Sequence, residues 1–237
     1  NTRLIHEYSA KEPEEENIIM AQCFYGPYMN AFAFVPGYFQ WYMQNRDPEE
    51  DFSFLKQCLQ YLQWQFHDGD ARPWILKAPS YLGYETAVAA VFPDVAFVTT
   101  HRDPVAILSS SLSLVESLFS ACSDESYRHV LGLPTAAYLA QGKEAQMALK
   151  DAHPEIPWLD VAYKEITRDA EAAAERIYAF AGIELTDKAR QAMRDWETRN
   201  AQHKHGAHEY KLENFGVKPE QVNELFANYI ARYKACL

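Results

Sequence analysis

Two basic residues stand just where apolar runs of the chain stop. The run Trp74-Ile75-Leu76 ends at Lys77 and a proline turn, and the run Val95 to Thr100 ends at His101-Arg102-Asp103-Pro104. Ser110 follows eight residues after Arg102, inside an apolar-periodic segment that runs from Val105 through Phe119. A guanidinium fork, a hydroxyl and the start of a helix are the parts of a phosphate clamp. An ammonium at Lys77, again at a strand end, suits anionic oxygens. The spacing leaves plainer readings open. Arg102 can pair with Asp103 while Ser110 faces solvent, and Lys77 can be a surface lysine paired with a nearby acid.

These residues need elements to position them. Residues 74 to 119 read as strand, helix, strand, helix, with Asp103 suited to the helix cap and Pro104 to its first turn. Both strands then deliver a basic residue to their carboxyl ends, the edge at which open α/β sheets bind ligands. Upstream, Pro13 opens a helix running to about Val35, and Pro48 opens one through Phe66 that stops at the Asp68-Gly69-Asp70 turn signal. Downstream, Pro134 opens a helix to about Lys150, and Trp158 to Tyr163 reads as a third strand. Asp169 caps a helix ended by Gly182, Thr186 caps one to about Asn200, and a last helix runs from Pro219 to Ala235. Strands alternating with helices make βαβ units and a mostly parallel sheet flanked by helices, an α/β fold in three layers.

Composition narrows the function. The chain has 237 residues, 48% of them apolar, which fits one large domain. A formal net charge of −11 opposes nucleic-acid binding, whose affinity rests on phosphate contacts. The acids cluster at 12–16 and at Asp47–Asp51, both readable as solvated helix starts. No apolar run approaches the length of a membrane span. Four cysteines, Cys23, Cys58, Cys122 and Cys236, are scattered without a C-x-x-C pair, which suits a reducing, cytoplasmic compartment.

The chain resembles the sulfotransferases that use 3′-phosphoadenosine 5′-phosphosulfate, in the bacterial branch with W-x-L-K-x-P followed by h-R-D-P. The resemblance runs along nearly the whole chain. It includes His6 ahead of Pro13-Glu14-Glu15, the stretch from Val35 to Trp41, Leu59 to Trp64, Tyr163-Lys164-Glu165-Ile166, and the tail from His208 to Gly216. It implies a single sulfotransferase-like domain over residues 1–237 with a P-loop-like fold. It also implies sulfuryl transfer from that nucleotide, as co-substrate and without a metal, to a hydroxyl or amine of a small acceptor. Arg102 and Ser110 match the family's 3′-phosphate clamp, Tyr163 the tyrosine near the adenine, and Lys204 and His205 the basic loop that closes on the 3′-phosphate. Lys77 matches the lysine that holds the transferring sulfuryl or the leaving phosphate oxygens.

His6 is the candidate general base, since an imidazole titrates near neutrality; Glu14 or Glu15 is the alternative. His203, His205 and His208 invite a metal reading, but three ligands on a loop lack a fourth partner. The aromatic cluster from Phe24 to Tyr42 reads as core, part of it suited to lining an apolar acceptor pocket.

Two departures stand out. The family opens with a strand and a turn, roughly P-R-S/T-G-T-T, that grips the 5′-phosphosulfate. None of the nine glycines opens a G-T-T helix, so the chain is expected to be incomplete at its N-terminus. The alternative is a non-catalytic, nucleotide- or partner-binding domain. The second departure is Tyr81, which stands where the family often has a histidine.

Overall fold

The computed structural model describes residues 14–66, 72–199 and 211–237. At its centre two short parallel strands pair, β1 (Phe97–His101) and β2 (Trp158–Ala162), in the register Phe97↔Trp158 to His101↔Ala162. Helices surround them, as the alternating sequence pattern predicts. The connection between the strands is α-helical. It runs through α6 (Pro104–Cys122) and α7 (Arg128–Ala152), after the helices of the N-terminal half: α1 (Asn17–Met20), α2 (Gly26–Phe32), α3 (Pro36–Asn45), α4 (Pro48–Phe66) and α5 (Glu85–Val91). After β2 come α8 (Tyr163–Arg168), α9 (Ala170–Ala181), α10 (Asp187–Arg199), α11 (Pro219–Leu225) and α12 (Ala227–Tyr233).

Local chemistry sets many of the boundaries. Pro104 opens α6, and the Asp103 carboxylate accepts the Ala106 N–H at 2.9 Å. Asp169 caps α9 in the same way through Ala172 N–H at 2.9 Å, and Gly182 ends that helix at φ 66°, a left-handed geometry that glycine adopts without strain. Thr186 caps α10 through Ala189 N–H. In α4 the spacing of Phe52, Leu55 and Leu59 places all three on the buried face.

Five expectations are corrected. Trp74–Leu76 is not a strand: the sheet among the described residues has two strands, and this run has no place in the ladder and stays largely exposed. Tyr163 opens α8 instead of ending β2. The helix expected from Pro13 to Val35 is broken, because Phe24 takes a left-handed φ of 59° and Pro27 and Pro36 each start a new helix. The helix expected at Pro134 begins earlier, at Arg128, where Leu131 and Gly132 are buried against the 212–217 segment. The last helix is interrupted at Phe226, which joins α11 to α12.

Two hydrophobic cores result. One lies in the N-terminal half and centres on Met20, Tyr25, Tyr42, Phe52 and Leu55, with Phe97 of β1 packed against it. The other joins α6, α7, α11 and α12 through Leu108, Leu112, Leu131, Val222 and Tyr229. Contrary to the sequence expectation, α6 is long and apolar enough to cross a membrane by length and composition. In this fold it is a packing helix. Leu108, Leu112 and Phe119 face the second core, and its Glu116 pairs with Arg128 of α7.

Candidate functional site

Because β1 and β2 are parallel, their carboxyl ends share one edge. Arg102 follows β1 there and Tyr163 follows β2. The Arg102 guanidinium lies 4.4 Å from the centroid of the Tyr163 ring, a cation–π contact. Asp103 does not pair with it, because its carboxylate is committed to the α6 cap. Among the described residues no carboxylate forms an ion pair with Arg102. In a chain of net charge −11, that leaves a half-buried cation open to an anion. Ser110 is half-buried in the second turn of α6, about 9 Å along the axis from Pro104 at 1.5 Å per residue. Its neighbour Ser109 bonds back to Val105 O at 2.7 Å; no described residue engages the Ser110 hydroxyl.

Lys77 belongs to a second group. Its ammonium, 74% exposed, pairs with Glu15, and its backbone N–H reaches Glu16 Oε2 at 3.1 Å. The plainer reading of Lys77, a lysine paired with a nearby acid, is therefore met, and the acid is one of the alternative bases. Glu16 is buried, not solvated: its other oxygen accepts from the Tyr81 hydroxyl. Burial first, and then the Glu16 carboxylate, push the Tyr81 hydroxyl pKa up. Asn17 joins the group, donating to Glu15 Oε2 at 3.0 Å and accepting from Ser80 Oγ at 2.5 Å. His6, Lys204 and His205 lie outside the described residues, as do His203 and His208.

The acidic stretch Asp47–Asp51 also departs from expectation at its end. Glu49 and Glu50 are exposed, but Asp51 is fully buried. It accepts from Tyr42 OH at 2.5 Å and from Arg46 Nε and Nη2 at 3.1 and 2.9 Å. The aromatic cluster divides: Tyr25 and Tyr42 are core, while Phe24, Phe34 and Trp41 are exposed. An open cleft of about 770 Å³ lies elsewhere, between the first turns of α7 and residues 214–216, and is lined by none of Lys77, Arg102, Ser110 and Tyr163.

Sequence reasoning passed over the residue before Arg102. His101 is fully buried. Its Nε2 meets Asp160 Oδ1 at 3.0 Å, its Nδ1 meets the Tyr229 hydroxyl at 3.1 Å, and its ring stacks on Tyr233 at 3.9 Å between centroids. Burial pulls its pKa below the usual value, against the Asp160 hydrogen bond. Burial alone would raise Asp160, but its bonds to Lys150 and His101 outweigh that and hold it below the ordinary carboxylate range. The period-two alternation Phe97, Thr99, His101 was the available signal that this imidazole points inward.

Nearby, burial brings the Lys143 ammonium down to about 8. Gln146 bridges it to buried Glu85, accepting from Lys143 at 3.2 Å and donating to Glu85 at 2.6 Å. The pattern of residues carries no sign of this pair.

Two short parallel strands with helices around them, and an arginine at their carboxyl ends that pairs with no described carboxylate, define an α/β protein. The sequence matches the sulfotransferase family model over residues 1–187, and the chain belongs to that family. The structure is similar to the crystal structure of sulfotransferase STF9 from Mycobacterium avium. The TM-score is 0.78 at 26% identity, over 96% of this chain and 57% of that one. It is also similar to sulfotransferase STF1 from Mycobacterium tuberculosis, with a TM-score of 0.75 at 27% identity, over 94% of this chain and 57% of that one. The chain thus spans little more than half the length of these two relatives. No curated protein shows a significant match to the sequence.

Proposed function

We propose that the whole protein transfers a sulfuryl group from 3′-phosphoadenosine 5′-phosphosulfate to a hydroxyl or amine of a small acceptor, one with an apolar body suiting the exposed aromatics near Trp41. One observation carries this reading: Arg102 lies on the face of Tyr163 at the carboxyl ends of two parallel strands, with no described carboxylate paired to it. Arg102 and Ser110 hold the nucleotide's 3′-phosphate, with Lys204 and His205 closing over it. Tyr163, 36% exposed, holds Arg102 on one face and offers the other to the adenine.

In the transfer, the acceptor's O–H or N–H proton passes to the base as its oxygen or nitrogen bonds to sulfur. The bond from sulfur to the 5′-phosphate oxygen breaks, releasing adenosine 3′,5′-bisphosphate. The reaction is in-line and loose, governed by positioning and charge. His6 takes the proton, or Glu15 in its place, which already touches Lys77. Lys77 compensates charge on the departing phosphate and requires no metal beside it. The four unpaired cysteines support a reducing compartment, the cytoplasm. The 237 residues form one domain of this enzyme. They contain no G-T-T turn, which favours a second reading as a nucleotide-binding domain without catalysis; a sulfation assay on the whole protein separates the two.

The test of the binding site is calorimetry with adenosine 3′,5′-bisphosphate. Arg102→Ala is expected to weaken binding by about 2–5 kcal/mol, the scale for losing one partner of a buried charge pair. Equal affinity in wild type and variant refutes the assignment.

A further inference from the structure

Arg102 follows directly on His101, the last residue of β1, and His101 is held by a chain of polar groups that neither strand supplies alone. The direction of each hydrogen bond follows from the chemistry of the ends. Asp160 is a carboxylate held ionised by Lys150, so it only accepts. His101 Nε2 faces it at 3.0 Å and must carry the ring proton. A neutral imidazole with its proton on Nε2 has a bare Nδ1, so the Tyr229 hydroxyl 3.1 Å away donates to it. The links connect α7 (Lys150), β2 (Asp160), β1 (His101) and α12 (Tyr229), and the next residue after His101 is the one that enters the clamp. Tyr233 covers the imidazole face, and Lys143 lies 5.4 Å from the Tyr229 ring centroid.

We infer that His101 and Tyr229 are positioning residues for Arg102: the Asp160–His101–Tyr229 relay fixes the carboxyl end of β1 against the C-terminal helix, so that the guanidinium is presented to the nucleotide's 3′-phosphate in one orientation. This rests on the reading of Arg102 given under Proposed function. It makes α12, more than 120 residues away in sequence, part of the phosphate site without touching the ligand. An unsatisfied link anywhere in a buried polar chain costs more than its own bond, because its neighbours lose their orientation.

The experiment compares two nucleotides that differ only in the 3′-phosphate, adenosine 3′,5′-bisphosphate and adenosine 5′-monophosphate, by calorimetry. Tyr229→Phe removes the hydroxyl and keeps the ring packed on Tyr233 and Phe226. It is expected to weaken the bisphosphate about fivefold, the scale of one neutral hydrogen bond, and to leave the monophosphate unchanged. In an Arg102→Ala background Tyr229→Phe is expected to add nothing. A variant that weakens both nucleotides equally, or neither, while Arg102→Ala removes the preference for the bisphosphate, overturns the relay and leaves the proposed function standing. A wild-type protein with no preference overturns the proposed function and the relay with it. Nitrogen-15 NMR of the wild-type histidines gives a check that needs no folded variant. His101 is expected as the neutral Nε2–H tautomer at pH 7, and an Nδ1–H tautomer or an imidazolium there overturns the relay.

Discussion

Replacing Gly132 with alanine adds one carbon where the fold has no room for it. Gly132 lies in α7, and a Cβ on it would sit 2.2 Å from the Phe215 carbonyl oxygen and 2.5 Å from Val217 Cγ2. The nearest obstacle is backbone, part of the turn Leu212–Phe215 that is closed by Val217 N–H to Leu212 O at 3.3 Å. It cannot rotate aside as a side chain would. Two effects oppose each other. Alanine is favoured over glycine in a helix interior by about 1 kcal/mol, whereas overpacking a filled site costs about 1–3 kcal/mol, here towards the upper end. The expected net result is a destabilisation of about 1–2 kcal/mol. Gly37 in α3 is the control, since a Cβ there meets nothing within 4 Å, and Gly37→Ala should stabilise by about 0.4–1 kcal/mol. Urea unfolding of both variants at constant m-value reads the difference directly. If Gly132→Ala stabilises the protein as much as Gly37→Ala, the close approach of α7 to the 212–217 turn is wrong. That turn resumes the chain after Lys204 and His205, so loss of affinity for adenosine 3′,5′-bisphosphate should accompany the loss of stability.

Three further outcomes are expected. His101 is neutral when buried and its pKa is depressed, so as pH falls through about 6.5 the unfolded chain binds a proton that the native state refuses. This contribution is intact above that pH and is lost below it, at up to about 1.4 kcal/mol per pH unit until the native pKa is reached; His101→Gln should flatten the urea midpoint against pH between 7.5 and 5.5, and an unchanged slope would count against a buried neutral imidazole. Asp51→Ala leaves the Tyr42 hydroxyl and Arg46 without their shared acceptor and should cost about 2–4 kcal/mol in urea, less than a fully buried pair because Arg46 can turn to water. In steady-state sulfation by the whole protein, His6→Ala should lower kcat by ~10²–10⁴ with nucleotide affinity nearly unchanged, and unchanged kcat moves the base role to Glu15; Lys77→Ala should also lower kcat, because it removes charge stabilisation from the transition state.

The parts of the fold that were legible are those decided within one turn of chain. Asp103, Asp169 and Thr186 cap helices because a short oxygen-bearing side chain finds an N–H three residues on, and no distant partner is needed. Arg102 was legible as the residue after a strand and Tyr163, one position out, as the end of another, but not as a stacked pair, which depends on β1 and β2 being neighbours. What failed depends on remote partners. Trp74–Leu76 has the composition of a strand, yet a strand exists only where another lies beside it. Asp51 reads as one more acid in a helix start until Arg46 and Tyr42 of the preceding segment close on it. Pro134 reads as a helix opener because its ring fixes φ, but packing of Leu131 and Gly132 carries α7 back past it to Arg128. His101 stands unremarked at the end of an apolar run, because its three partners come from β2 and α12.

The division of the interior into two cores bears on how the molecule opens. Its halves are expected to open as two cooperative units, and β1 belongs to both: Phe97 packs on the N-terminal core, while four residues on, His101 is stacked on Tyr233 of the C-terminal one. Amide protons of this strand can be no better protected from exchange than the weaker of the two units allows. The same strand delivers Arg102. An anion seated at its end therefore joins the two units, and occupancy should slow exchange in the N-terminal helices and in α12 together, although neither touches the ligand.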